Sequence, residues 1–275
     1  MNFCLSTFPA HTSVPDGFPN LRAAELRAQP EGADMSATSD IPPVKGKRNL
    51  STGILTRFGQ VAFVFIIQAI VMFLTANQLS WLWAWVFLGI CAASVSINSF
   101  FMLRTSPETI AERGQPKETK DWDKIVGGLW ALCIFLAVPL VAGLDVRFGW
   151  TPALNLMYNI AGGVMLSLGL GLGGWAMISN AYFSTAVRIQ SDRGQTVCRN
   201  GPYRFVRHPG YAGFVLQSLG TPILLGSFWA LIPGTMAAAL MVLRTFLEDR
   251  MLQAELTGYR EFVDEVRYRL VPGIW

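Results

Sequence analysis

The stretch GPYRFVRHPGYAGF, residues 201–214, sets two arginines, a histidine and two tyrosines at the edge of a very apolar segment. Charged and imidazole groups at the border of a lipid-like run are expensive unless something binds them. A second polar cluster, RTFLEDRMLQAEL, follows an uncharged run of 33 residues, and in it Arg244 and Glu248 lie four apart on one helix face. A carboxylate such as Glu248 can hold a ligand's cation. His208 can bind polar edges, and the faces of Tyr203 and Tyr211 can pack on an aromatic ring or attract a positive centre. Pro202 and Pro209 hold the residues before them, Gly201 and His208, in extended or turn geometry, which suits a loop folded round a ligand. Plainer readings compete. Arg244 and Glu248 also suit a helix-surface ion pair worth about a few tenths of a kcal/mol. The tyrosines suit an interfacial belt, and Arg204 and Arg207 read as topology signals or lipid-headgroup contacts rather than catalytic groups.

The elements that must position these residues are legible from hydropathy. The chain of 275 residues is 52% hydrophobic and only 15% charged, against about 25% charged for a soluble domain. Residues 58–76, 81–103, 125–144 and 154–180 carry no Asp, Glu, Lys, Arg or His, and each supplies the roughly 20 residues that cross a bilayer core. The fold class is all-α, a polytopic membrane protein. Lys45, Lys47, Arg48 and Arg57 precede the first span and place its start in the cytoplasm. Asn77–Ser80 is uncharged and outside, the basic link Arg104–Lys124 inside, Asp145–Pro152 outside, and the loop 181–210, with five arginines, inside. As one helix, the uncharged run 211–243 would be about 50 Å long, too long for a bilayer. Gly-Thr-Pro at 220–222, Gly-Ser at 226–227 and Pro-Gly at 233–234 interrupt it. The expectation is four transmembrane helices plus a C-terminal hairpin that turns near Gly226–Trp229 on arms slightly short for full spans. Such a hairpin brings His208–Tyr211 beside Arg244–Glu248. In the tail 244–275, Leu252, Leu256, Tyr259, Val263 and Val266 recur at helical spacing with a break at Gly258, as for an amphipathic helix on the cytoplasmic membrane face.

Other features exclude function classes. The net charge of +4 reflects short loops rather than a basic face, so no nucleic-acid partner is expected. Cys4, Cys91, Cys133 and Cys198 form no close pair, and with two histidines in all no metal site is expected. The glycines of GGVMLSLGLGLGG, residues 162–174, sit in a span with no preceding strand and read as close helix packing rather than a nucleotide loop. Trp81, Trp83 and Trp85 read as a membrane-interface anchor. Residues 1–50, rich in Pro, Ala, Ser and charge, read as disordered, with residues 1–34 a mis-called start before Met35. Residues 51–275 then form the membrane domain.

From about Tyr182 to Trp275, roughly the last third of the chain, the sequence resembles the isoprenylcysteine carboxyl methyltransferase family of membrane enzymes. GPYRFVRHPGY, Arg244 with Glu248, and GYREFVDEVRYRLVPGIW carry the resemblance. The RHPxY element alone is only moderately specific, since related methyltransferases and sterol reductases have similar C-terminal patterns; joined to R-x-x-x-E across a hairpin it is a strong combination. The resemblance implies S-adenosylmethionine as methyl donor, bound on the cytoplasmic side by Gln195, Thr196, Val197, Cys198, Tyr203, His208, Pro209, Gly210, Tyr211 and Glu248. A further contact falls near Arg188 or Gln190. Arg244 matches the family's substrate-contacting arginine. The family's pair of glutamates reads Glu248-Asp249 here, which leaves Asp249 without an assigned role. The implied activity is methyl transfer to a lipophilic or lipidated acceptor, a carboxylate of the isoprenylcysteine kind. A carboxyl group with a pKa of about 4 is already ionised at neutral pH and needs no general base. A phospholipid amine or a small thiol would need one, with His208 and Glu248 the choices. An NADPH-dependent membrane reductase shares parts of the C-terminal pattern. A transporter or scaffold is disfavoured by spans almost free of ionisable groups.

Overall fold

A computed structural model describes residues 46–114 and 118–275. Nearly all of the segment 1–50 therefore lies outside the described residues; helix α1 (Gly46–Ala76) begins within its last five. The described residues are helical apart from turns and loops: α2 (Leu82–Thr105), α3 (Pro107–Arg113), α4 (Asp121–Leu132), α5 (Val138–Phe148), α6 (Leu156–Ser179), α7 (Pro209–Leu225), α8 (Leu231–Glu255) and α9 (Tyr259–Glu265). A π turn over Cys133–Ala137 joins α4 and α5 into one continuous rod. Pro139 explains it, because its ring cannot donate a hydrogen bond and crowds the carbonyl four residues back, so the helix widens for one turn.

Five helices are long and apolar enough to cross a membrane: Leu50–Ala76, Leu82–Thr105, Asp121–Phe148, Leu156–Ser179 and Leu231–Glu255. The chain is a multi-pass membrane protein, and its outer faces bear the side chains a lipid would wet, such as Phe63, Leu74, Leu168 and Ile232. The hairpin is present and turns where expected, with Gly226 left-handed at φ 75° as the cap of α7. Its arms are unequal. α7 has 17 residues, about 25 Å, whereas α8 has 25, about 38 Å, because its helix continues through the charged RTFLEDRMLQAE beyond the uncharged run. Pro222 does not interrupt α7 but lies inside it.

Close glycine packing fixes the hairpin on α6. A Cβ on Gly162 would come within 2.1 Å of Leu224 N, one on Gly169 within 2.6 Å of Gly213 O, and one on Gly220 within 2.7 Å of Leu166 N. The backbones of α6 and α7 therefore touch along their length, which only hydrogen side chains allow. At the end of the bundle away from the basic loops, Asp145 accepts from Thr151 N at 2.7 Å and from the hydroxyls of Thr151 and Ser227, tying α5 to the hairpin turn. At the opposite end, Gly258 (φ 81°) breaks the chain between α8 and α9. The apolar face of the tail is taken up by the protein itself, since Tyr259 and Phe262 of α9 are buried beside Cys198, Tyr203, Leu252 and Leu256.

Candidate functional site

The loop between α6 and α7 has no long element, and polar side chains hold its shape. Gln190 donates its side-chain amide to Tyr182 O at 2.6 Å, and its backbone N–H goes to Gln195 Oε1 at 2.7 Å. Gly194 and Gly201 turn the chain at positive φ. Cys198 donates to Ser179 O at 3.2 Å, which anchors the loop to the end of α6. Tyr203 is buried, and burial pushes its phenol above the ordinary range, so it stays a neutral hydroxyl. The loop's last residues run beside the tail: Arg207 N donates to Tyr268 O and His208 N to Arg269 O, each at 2.9 Å.

Asp249 is the centre of this end of the molecule. It has no exposed surface. Arg207 holds it with two parallel bonds, Nε to Oδ1 at 2.8 Å and Nη2 to Oδ2 at 3.0 Å. Arg269 Nε donates to it at 2.9 Å, Gln253 Nε2 at 2.9 Å and the Tyr259 hydroxyl at 3.0 Å, and His208 Nε2 lies 3.2 Å away. A buried carboxylate surrounded in this way remains charged and ties loop, α8, α9 and tail into one unit. Burial works against the charge on Arg207, but the Asp249 hydrogen bond outweighs it and raises the guanidinium's pKa. Arg207 is thus an internal strut, not the lipid-headgroup contact the sequence pattern suggests, because it has a fully buried counter-ion 42 residues away. Arg204 is exposed.

Glu248, the neighbour of Asp249, faces the other way. It is half-buried and accepts the Tyr211 hydroxyl. No Lys, Arg or His among the described residues lies within ion-pair distance of it. The His208 and Tyr211 rings are parallel within 3° at 5.7 Å, and Arg244 Cζ lies 5.3 Å from the Tyr211 ring centre. The hairpin has brought its ends together as topology requires. Arg244 and Glu248 are nevertheless not paired. Arg244 turns to Asp123 of α4, giving it Nε at 2.7 Å and Nη2 at 3.0 Å, and donates to Thr185 O at 2.8 Å.

Two cavities meet here. The first encloses about 100 Å³ and is lined by the polar loop and the ends of α7 and α8. Gln195, Thr196, Val197, Cys198, Tyr203, His208, Gly210, Tyr211 and Glu248 all line it, as do Arg188 and Gln190. Pro209 is buried but lies behind this wall as the first residue of α7. Gly210 is required by the wall, since a Cβ there would stand 2.6 Å from the Phe183 ring. The second cavity, about 540 Å³ and largely apolar, runs through the bundle between α1, α2, α4, α6 and α7. Arg244 lines this one, not the first. Phe183, Ser184, Ala186 and Tyr211 line both and form the partition between them.

The sequence pattern does not reveal Asp123, Phe183, Asp249 or Tyr259 as parts of this site. Asp123 is a lone acid 121 residues from its arginine. Asp249, as the second acid of a pair, and Tyr259, inside the GYREF stretch, were the available signals. Among the described residues no group of His, Cys, Asp and Glu is placed to hold a metal ion.

Comparison with known proteins gives a consistent set of likenesses. Residues 164–255 match the model of the isoprenylcysteine carboxyl methyltransferase (ICMT) family. A protein-S-isoprenylcysteine O-methyltransferase of Schizosaccharomyces pombe is 36% identical over 113 residues, 40% of this chain and 46% of that protein. A probable protein-S-isoprenylcysteine O-methyltransferase of Oryza sativa subsp. indica is 32% identical over 69 residues, 25% of this chain and 34% of that protein. The matched region thus spans less than half the length of either relative.

Proposed function

We propose, for a chain whose residues 164–255 match the isoprenylcysteine carboxyl methyltransferase family, the function of an integral-membrane methyltransferase. It takes a methyl group from S-adenosylmethionine and delivers it to the carboxylate of a lipophilic acceptor of the isoprenylcysteine kind. The observation that carries this reading is the pair of cavities sharing the Phe183–Tyr211 partition, one polar and loop-lined, the other long, apolar and inside the bundle. A water-soluble donor and a lipid-soluble acceptor need that division.

The residues present fit the donor. Glu248 is a half-buried carboxylate without a cation, aimed along the loop-lined wall, and suits the donor's ammonium. Tyr203, His208 and Tyr211 supply aromatic faces and hydroxyl or imidazole edges for its purine and sulfonium. When bound, the donor supplies an electrophilic methyl group. The protein's own contribution is placement. Asp249 fixes His208, Glu248 fixes the Tyr211 hydroxyl, and Arg244, clamped by Asp123, presses its cationic face on the Tyr211 ring. The apolar cavity takes the acceptor's chain. From the level of Arg57 to that of Gln68 on α1 it is about 16 Å long at 1.5 Å per residue, matching an isoprenoid tail. An acceptor carboxylate arrives ionised, so no proton has to leave, and burial beside the partition strips water from the nucleophile. His208 Nε2 is engaged by Asp249 and by the Tyr259 hydroxyl at 3.2 Å, which suits a positioning role better than that of a base for a thiol or amine acceptor. The Lys and Arg excess in loops 104–124 and 181–210 supports a cytoplasmic position for the site.

The test is titration calorimetry in detergent. S-adenosylmethionine binds the wild-type protein and NADPH does not. Binding of NADPH in place of S-adenosylmethionine would move the protein to the reductase class.

A further inference from the structure

The apolar cavity ends in charge. Arg57, Asp123, Lys124 and Arg244 line it with Arg113, the last residue of α3. Three of these five are already neutralised: Arg244 and Asp123 hold each other, and Lys124 holds Asp121 at 2.7 Å. Arg57 and Arg113 are left. Among the described residues no carboxylate lies within ion-pair distance of either. Arg57 reaches only Gln60 Oε1, at a long 3.4 Å. Arg113 is more exceptional, because its Nε is buried with no hydrogen-bond partner and its Nη1 meets only Met177 Sδ, a weak acceptor. The Phe183 face, 5.0 Å from Cζ, and the C-terminal end of α3 offset part of the cost of that half-buried cation. They leave the guanidinium's donors unspent. Burial, and after it the charge of Arg57, depress its pKa, as expected of a cation without a counter-ion.

The position matters as much as the vacancy of charge. Arg113 packs on Phe183, a member of the partition between the cavities. Trp130 Nε1, another buried donor without a partner, lines the same cavity further along. We propose that Arg113, supported by Arg57, is the group that binds the acceptor's carboxylate at the mouth of the apolar cavity and so selects anionic over neutral lipophilic molecules. This rests on the methyltransferase reading for the identity of the acceptor, though not for the existence of an anion site. Arg244 is then a positioning residue, its planar fork used on Asp123 and Thr185 and its face on Tyr211.

The site can be tested without turnover. Thermal unfolding in detergent is followed with N-acetyl-S-farnesylcysteine, with its neutral methyl ester, and with neither. The acid should raise the wild-type melting temperature more than the ester does. Arg113→Gln should abolish that preference while leaving the unliganded melting temperature unchanged or higher, since a half-buried cation whose Nε has no partner is removed. In the transfer assay Arg113→Gln should raise the acceptor KM at least about 30-fold with S-adenosylmethionine affinity within twofold of wild type, and Arg113→Lys should recover only part, because an ammonium cannot reproduce the bidentate fork. An acid preference that survives Arg113→Gln, or an acid that stabilises wild type no more than its ester, overturns the proposal. If the preference is present and depends on Arg113 but no methyl is transferred, the anion site stands and the proposed activity falls.

Discussion

Asp249 and Glu248 are adjacent acids with opposite surroundings, one enclosed by Arg207, Arg269, Tyr259 and His208, the other lining a cavity and, among the described residues, within ion-pair distance of no cation. Substitutions should separate them. Asp249→Asn leaves Arg207 as an uncompensated buried charge and should destabilise the protein on the order of 3–5 kcal/mol, read as a lower melting temperature in detergent. Glu248→Gln should leave melting unchanged and weaken S-adenosylmethionine at least about 30-fold; equal affinity in calorimetry would remove Glu248 from the donor site. Tyr203 and Tyr259 give a pH test. Burial raises both phenols above their ordinary value of 10.0. Above pH 10 the unfolded chain loses these protons while the folded chain keeps them, so stability falls as pH rises. Tyr203→Phe and Tyr259→Phe should each flatten that fall in melting temperature between about pH 9.5 and 11. At this scale the sequence was partly legible. Types and spacing pointed to Tyr211, His208 and Glu248 because they lie in short motifs at the two ends of one hairpin. They could not show that Arg244 answers to Asp123, because no local pattern joins residues 121 positions apart.

The hairpin and α6 act as a single element, and glycine makes them so. Gly169 and Gly171 are neighbours on α6 with different surroundings: a Cβ on Gly169 would meet Gly213 O at 2.6 Å and Gln217 N at 2.9 Å, while one on Gly171 meets nothing within 4 Å. Gly169→Ala should therefore cost about 1–3 kcal/mol and loosen the site above it, lowering donor affinity as well as melting temperature. Gly171→Ala should be neutral or gain up to about 1 kcal/mol from helix propensity. Equal behaviour of the two would contradict backbone-to-backbone packing of α6 on α7. The glycine run, the hairpin and its turn were readable from composition and length. The reach of α8 was not, since its helix crosses from an apolar run into a charged one without a break. Nor was the course of the chain at Pro222, whose residue type marks a breaker and which α7 absorbs.

For the molecule as a whole, the account requires one end of the bundle to hold the donor loop, the arginines and the mouth of the acceptor cavity, all facing the cytoplasm. In a background without the native cysteines, a single cysteine at Gln195 or Glu118 should react with an impermeant reagent only from the cytoplasmic side, and one at Gln78 only from the other. Labelling of Gln195→Cys from outside would separate the site from cytoplasmic S-adenosylmethionine. The most direct test of the central claim is product identification. Purified protein in lipid discs is given methyl-labelled S-adenosylmethionine and N-acetyl-S-farnesylcysteine, and the product is treated with alkali. The account predicts label on the acceptor as a carboxyl methyl ester, released as methanol by base and absent with Glu248→Gln. Label that survives base, on sulfur or nitrogen, or no transfer from a protein that binds neither donor nor acceptor, would contradict it.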